Sequence, residues 1–317
     1  MRRGRSRPRA FAFCWTNGRG KRQETAMGLF AIILSALLSL APGLAPGPMA
    51  GGGRVETGGV TVALAEPASG RDEDLPAIAG SSDPARPLVV IDPGHGGRDP
   101  GAVHDGRREE AVTLAIARAI RDALAASGRV RVALTRDDDR YIELVDRYGI
   151  ARRLGADLFI SVHADAAPNN DDAHGATIYT LSEVASDREA ALLAARENEA
   201  GGIGGAELGA DAGVNRILID LAQRESMNMS ADFARLLRRE AAEFFPFRPD
   251  YHRFASLIVL KAPDIPSILF ESGYLTNARD SAYIHSQEGQ QQIATGMRRA
   301  IEAHFARRIV GERLAAR

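Results

Sequence analysis

Two histidines in this chain stand where an apolar run gives out. Val89-Val90-Ile91-Asp92-Pro93-Gly94-His95-Gly96-Gly97 passes from β-branched residues into a Pro/Gly turn built around one imidazole. Ala156-Asp157-Leu158-Phe159-Ile160-Ser161-Val162-His163-Ala164-Asp165 ends a second run in another. Runs of this length read as buried strands. A third, Pro266-Ser267-Ile268-Leu269-Phe270-Glu271-Ser272-Gly273, ends in a carboxylate. Open α/β sheets place their sites at the C-terminal ends of strands. Two imidazoles and a carboxylate converging on one rim suit a divalent metal, because these are the preferred non-thiol ligands of zinc. Taken alone, a strand-end His is also explained as a hydrogen-bonded turn residue.

A fourth group comes from a helix. Glu109 to Ala126 carries Val112, Ala115, Ile116, Ala119, Ile120, Ala123 and Leu124 at helical spacing. At about 100° per residue, Glu109 lies roughly 30° from the centre of this stripe and Glu110 roughly 130° away. Glu109 is expected to face the sheet and Glu110 the solvent. A carboxylate aimed at a core needs a partner, and a cation would serve. A helix-start acid favoured by the macrodipole accounts for Glu109 equally well at this stage.

The elements that must position these groups alternate. Strand 87–92, helix 109–126, strand 130–135, helix 143–154 and strand 157–162 follow in the βαβ manner. Strand 177–180, helix 230–245, strands 256–261 and 266–271, and a last helix over 288–306 complete the series. The expected fold is α/β, a twisted and mostly parallel sheet with helices on both faces, forming one catalytic domain over 87–308. Residues 309–317 read as a tail. An insertion over 183–226 interrupts the alternation with an Ala/Glu/Arg stretch, then Gly201-Gly202-Ile203-Gly204-Gly205, then a short helix over 215–225. Val214, Ile217, Leu218, Leu221 and Ala222 share one face of that helix. Glycines joined to an amphipathic helix suit a movable lid, although a plain surface insertion is the commoner case. The run Arg136-Asp137-Asp138-Asp139-Arg140 reads as a solvated turn.

A chain of 317 residues with 45% hydrophobic content can bury a sizeable core, and its net charge of −1 gives no reason to expect nucleic-acid binding. Residues 1–65 read as a secretory leader. They hold a basic start, an apolar run over 28–44 and a later Ala63-Leu64-Ala65, with Met27 an alternative start. Residues 66–86 read as a linker. The one cysteine, Cys14, lies in the leader, so a mature chain would have no disulfides, thiolate metal sites or cysteine nucleophile. The expected location is the periplasm, with no stable membrane span once the leader is removed.

Together these residues resemble the zinc-dependent N-acetylmuramoyl-L-alanine amidases of the cell-separation type. The anchors are Ile91–Gly97, Glu109 with Val112-Thr113-Leu114-Ala115-Ile116-Ala117, Phe159–Asp165, and Pro266–Gly273 continuing through Tyr274-Leu275-Thr276-Asn277. Family members usually carry Lys after the helix Glu, where this chain has Glu110. The resemblance implies a catalytic Zn2+ held by His95, Glu109 and His163, with Glu271 as the proton-transferring acid. It also implies cleavage of the peptidoglycan amide between N-acetylmuramic acid and L-alanine during daughter-cell separation. The insertion is similar to that of members whose extra helix covers the zinc until a LytM-domain activator displaces it. Glu207, Asp211, Asp220 and Glu225 are the acids considered for that cover. His104, His174, His252, His285 and His304 match no ligand motif. The stretch before Pro87 is expected to be too short for the separate N-terminal targeting domain of some members. A zinc peptidase cutting within the stem peptide, and a wall-binding module without turnover, are the competing readings.

Overall fold

The computed structural model describes residues 75–167, 170, 172–200 and 214–315. Its frame is a seven-stranded sheet in the order β1-β5-β2-β6-β9-β7-β8. The strands are β1 (Ala79–Gly80), β2 (Leu88–Pro93), β5 (Arg131–Leu134), β6 (Leu158–Asp165), β7 (Ala176–Leu181), β8 (Phe247–Ala255) and β9 (Ser267–Tyr274). A small antiparallel ribbon, β3 (Val103–His104) with β4 (Arg107–Arg108), leads into the first helix. The helices are α1 (Glu109–Ser127), α2 (Leu144–Arg153), α3 (Arg188–Ala200), α4 (Val214–Ala241), α5 (Ala278–His285) and α6 (Gln287–Ala315).

Strands β5, β2, β6 and β9 run parallel, as their continuous apolar sequences require of strands covered on both faces. β7 lies antiparallel to β9 and parallel to β8, so the sheet is mixed but mostly parallel. On one face Val89, Ile91, Ile160 and Phe270 pack with Ile116 of α1, Phe233 of α4 and Ile301 of α6. On the other, Val90, Phe159, Tyr179 and Leu269 pack with Ala151 of α2, Leu193 of α3 and a 3-10 turn at Ile258–Leu260. The chain leaves β2 for β5 on one side and returns to β6 on the other. That reversal opens a crevice at the C-terminal ends of β2 and β6, where such sheets bind ligands.

Several boundaries differ from the expectation. Ala79–Gly80, inside the stretch read as linker, pairs antiparallel with β5 at the sheet edge. The apolar run 256–261 is no strand; Phe247–Ala255 takes that place, and its Pro249 is tolerated because β8 is the edge strand. Helices 215–225 and 230–245 are one continuous helix, α4. The final helix continues to Ala315, so most of the expected tail is helical. None of the described helices is long and apolar enough to cross a membrane.

Candidate metal centre

The turn after β2 is held from below by two buried arginines. Arg147 donates to Asp92 Oδ1 at 3.0 Å and to the carbonyls of Pro93 and His95 at 2.8 Å each. Arg136 donates to the carbonyls of Pro93, Gly94 and Glu110 at 3.0, 2.7 and 2.9 Å. Asp139 accepts from the Gly97 amide at 2.6 Å. In the 136–140 run, Asp137 to Arg140 are exposed as a solvated turn would be, but Arg136 is fully buried. Burial, together with the Arg147 cation, pulls the Arg136 guanidinium down to about 10. Braced in this way, His95 occupies a left-handed conformation at φ 60°, which few side chains adopt without support. A Cβ at Gly94 would run into the His163 ring, and one at Gly101 into His95 and Glu109. Glycine at both positions lets the rings and the carboxylate approach.

His95 and His163 meet edge to face, ring centroids 4.8 Å apart. His95 Nδ1 bonds Asp99 at 2.8 Å, which leaves Nε2 facing the cluster, buried and without a hydrogen bond. Glu109 Oε1 lies 3.1 Å from His95 Nε2 and 3.1 Å from His163 Nδ1. The Ala164 and Ala102 amides, both at 2.9 Å, hold the Glu109 carboxylate in place. A fourth donor, Glu197 Oε2, lies 3.4 Å from His95 Nε2 and 3.2 Å from His163 Nδ1. His95, His163 and Glu197 form a buried group able to hold a metal ion, and Glu109 reaches the same two nitrogens. Ligands at about 2.0–2.1 Å around a tetrahedral ion lie about 3.3 Å apart, which these separations match. Without an ion, burial alone would lower both imidazoles. Glu109 and Asp99 beside His95, and Glu197 and Glu109 beside His163, override it and raise each to about 10. At Glu109 burial would raise the carboxyl, but the charges and hydrogen bonds of His95 and His163 outweigh it and hold the carboxyl well below the usual range.

The sequence expectation for the adjacent acids divides. Glu109 points at the imidazoles, but Glu110 is not in solvent; it is buried and paired with Arg108 at 3.1 Å. Glu271 sits directly across from His163 in the β6–β9 register. Burial, followed by the charges of Asp165, Glu109 and Glu197, raises its carboxyl well above the ordinary value.

The acid that covers the centre is one the sequence reading passed over. Glu197 lies on α3, and α3 is pinned along its length. Asp187, just before it, takes Arg253 at 2.6 Å; Arg196 pairs with Asp165 at 2.6 Å; and Asn198 bonds the Ser256 carbonyl at 2.8 Å. The signal was present, because Ala190, Leu193, Ala194 and Glu197 fall at i, i+3, i+4 and i+7 and all four are buried. Of the acids considered instead, Asp220 is 59% exposed and paired with Arg224, and Glu225 is exposed on α4. Glu207, Asp211 and the glycines at 201–205 lie outside the described residues. Leu221, expected on a docked face, is 62% exposed, and the side chains of residues 214–218 are likewise outside the described set.

A mostly parallel α/β sheet whose switch point gathers two imidazoles and two carboxylates presents a centre able to hold a metal ion. The chain belongs to the N-acetylmuramoyl-L-alanine amidase family, whose model matches residues 89–303. It is 34% identical over 244 residues to the amidase AmiA of Escherichia coli K12, covering 74% of this chain and 84% of that protein. It is 34% identical over 224 residues to the amidase AmiC of Escherichia coli O6:H1, covering 70% of this chain and 54% of AmiC. The chain thus spans only about half the length of that relative. Among solved structures, the amidase AmiC2 of Nostoc punctiforme aligns with a TM-score of 0.52 at 28% identity, over 72% of this chain and 99% of that one.

Proposed function

We propose that this protein hydrolyses the amide joining N-acetylmuramic acid to L-alanine in peptidoglycan, using a zinc ion held by His95 Nε2, Glu109 and His163 Nδ1. The observation that carries the reading is the buried ring of two imidazole nitrogens and two carboxylate oxygens, 3.1–3.4 Å between nearest nitrogen and oxygen, with His95 Nε2 left unbonded. When bound, zinc would supply Lewis acidity, bringing a water's pKa toward neutrality and polarising the scissile carbonyl. Asp99 fixes the His95 tautomer so that Nε2 is free to ligate. Glu271 holds and moves the proton, taking it from the attacking water and giving it to the leaving amine. Burial and the neighbouring carboxylates raise its affinity for a proton, as suits a group that carries one from water to amine.

In the same reading Glu197 would be a further ligand to the ion and would keep the enzyme at rest. A LytM-domain activator would free the site by binding the released form of α3 better than the docked one, since only differential affinity shifts such an equilibrium. The setting would be the periplasm, in wall remodelling and daughter-cell separation. Incubating the purified protein with muropeptides and reading products by mass spectrometry tests the bond assignment. A new L-alanine amine terminus is expected; cleavage inside the stem peptide, or no cleavage by zinc-loaded protein with α3 released, would sink it. Glu271→Gln should keep its zinc and lose about 10²–10⁴ in rate.

A further inference from the structure

Three neighbouring strands carry the catalytic rim. β6 contributes His163, β9 Glu271 and β7 Thr177, and the register sets them in one row, His163 opposite Glu271 and Glu271 opposite Thr177. Cross-strand partners share a face and stand about 4.5–5.5 Å apart at Cβ. Thr177 and Glu271 are both buried, and each has a side-chain oxygen without a hydrogen bond: Thr177 Oγ1 and Glu271 Oε2. Buried polar groups are rarely left so, because each forfeits its bond to water. The two orphans are complementary, since a hydroxyl has a proton to donate and a carboxylate accepts. The two serines next to the row donate elsewhere. Ser161 donates to Asp92 at 2.8 Å, and Ser272 donates to the His163 carbonyl at 2.9 Å.

We propose that Thr177 is a positioning residue for Glu271, its hydroxyl donating the hydrogen bond that holds the Glu271 carboxylate in the row it shares with His163. A rotation of either side chain, within the reach of directly opposed strand residues, closes that bond. Packing gives no other use for the oxygen. Valine has nearly the same shape and suits a buried strand better, and its presence would remove an unpaired polar group. The proposal rests on the amidase reading for its assay alone.

The test compares Thr177→Val and Thr177→Ser with the unaltered protein for metal content, melting temperature, kcat and KM on a soluble muropeptide. Thr177→Val should keep its metal and KM, melt no lower, and lose about tenfold or more in kcat. Thr177→Ser, which restores the hydroxyl, should recover to within about threefold of the original kcat. A Thr177→Val enzyme with unchanged kcat, or a loss that Ser does not recover, overturns the proposal. A second readout needs no turnover. In protein labelled with 13C-glutamate, the infrared difference between wild type and Thr177→Val should show one shifted carboxyl band, and the absence of any shift overturns the proposal. Should the unaltered chain hydrolyse nothing while the band still shifts, the amidase reading fails and the Thr177–Glu271 bond stands.

Discussion

At the scale of single residues, the centre is decided by which atom each side chain turns inward. Asp99 takes His95 Nδ1 and so commits Nε2, while His163 offers Nδ1 to the same two carboxylates. Adjacent acids on α1 part company: Glu109 reaches both rings, and Glu110 is spent on Arg108. Glu109→Ala should therefore lose the metal and Glu110→Ala should keep it, read by elemental analysis after dialysis. Metal retained by the first and lost by the second would reverse the assignment. Helical phase was enough to choose Glu109 from sequence, because its angle to the apolar stripe depends on local geometry alone. It failed for Glu110, which is buried and paired with Arg108, because phase along one helix says nothing of what the rest of the chain packs over it.

At the scale of elements, α3 is what brings a second carboxylate to the centre. Its buried residues Ala190, Leu193 and Ala194 join the core cluster of Phe159, Tyr179, Ala255 and Leu269, and Glu197 extends that face onto the imidazoles. Suppressing a rate about 100-fold needs a closed state favoured by only about 2.7 kcal/mol, within the reach of a few such contacts. Glu197→Ala should raise hydrolysis of purified sacculi by about tenfold or more without an activator, while the other α3 anchors slow full release. If the variant binds zinc and is no faster than the parent, Glu197 is not a brake. The sequence marks an insertion by a glycine-rich stretch beside an amphipathic segment, and its glycines at 201–205 lie outside the described residues. The four acids considered for the cover, Glu207, Asp211, Asp220 and Glu225, could not be ranked from sequence, and Glu197 was not among them. In the folded chain the 215–225 segment begins α4, where Asp220 and Glu225 face solvent.

For the molecule as a whole, metal, proton and folding equilibria are linked through the two imidazoles. Without metal each is raised from 6.5 to about 10, so their contribution to stability is complete below pH 6.5 and is lost as pH rises through about 10. Metal competes with those two protons, so its affinity should rise between pH 6 and 9 with close to two protons released, measurable by calorimetry in buffers of different ionisation enthalpy. Free zinc at about 1,000 times its Kd adds about 4 kcal/mol, so chelation should lower the melting temperature on the order of 10 °C. A chelated protein melting at the same temperature would show that no ion is held. By itself the sequence determined the strand ends that present His95, His163 and Glu271, the face of α1 that carries Glu109, and the α/β order. These follow from periodicity and turn chemistry, which act over a few residues. Only the tertiary structure decided that Arg136 and Arg147 brace the His95 turn, that Glu197 closes the cluster and that Thr177 stands beside Glu271. Each of these pairings joins residues far apart in the chain through strand order and helix docking, and no local pattern encodes that distance.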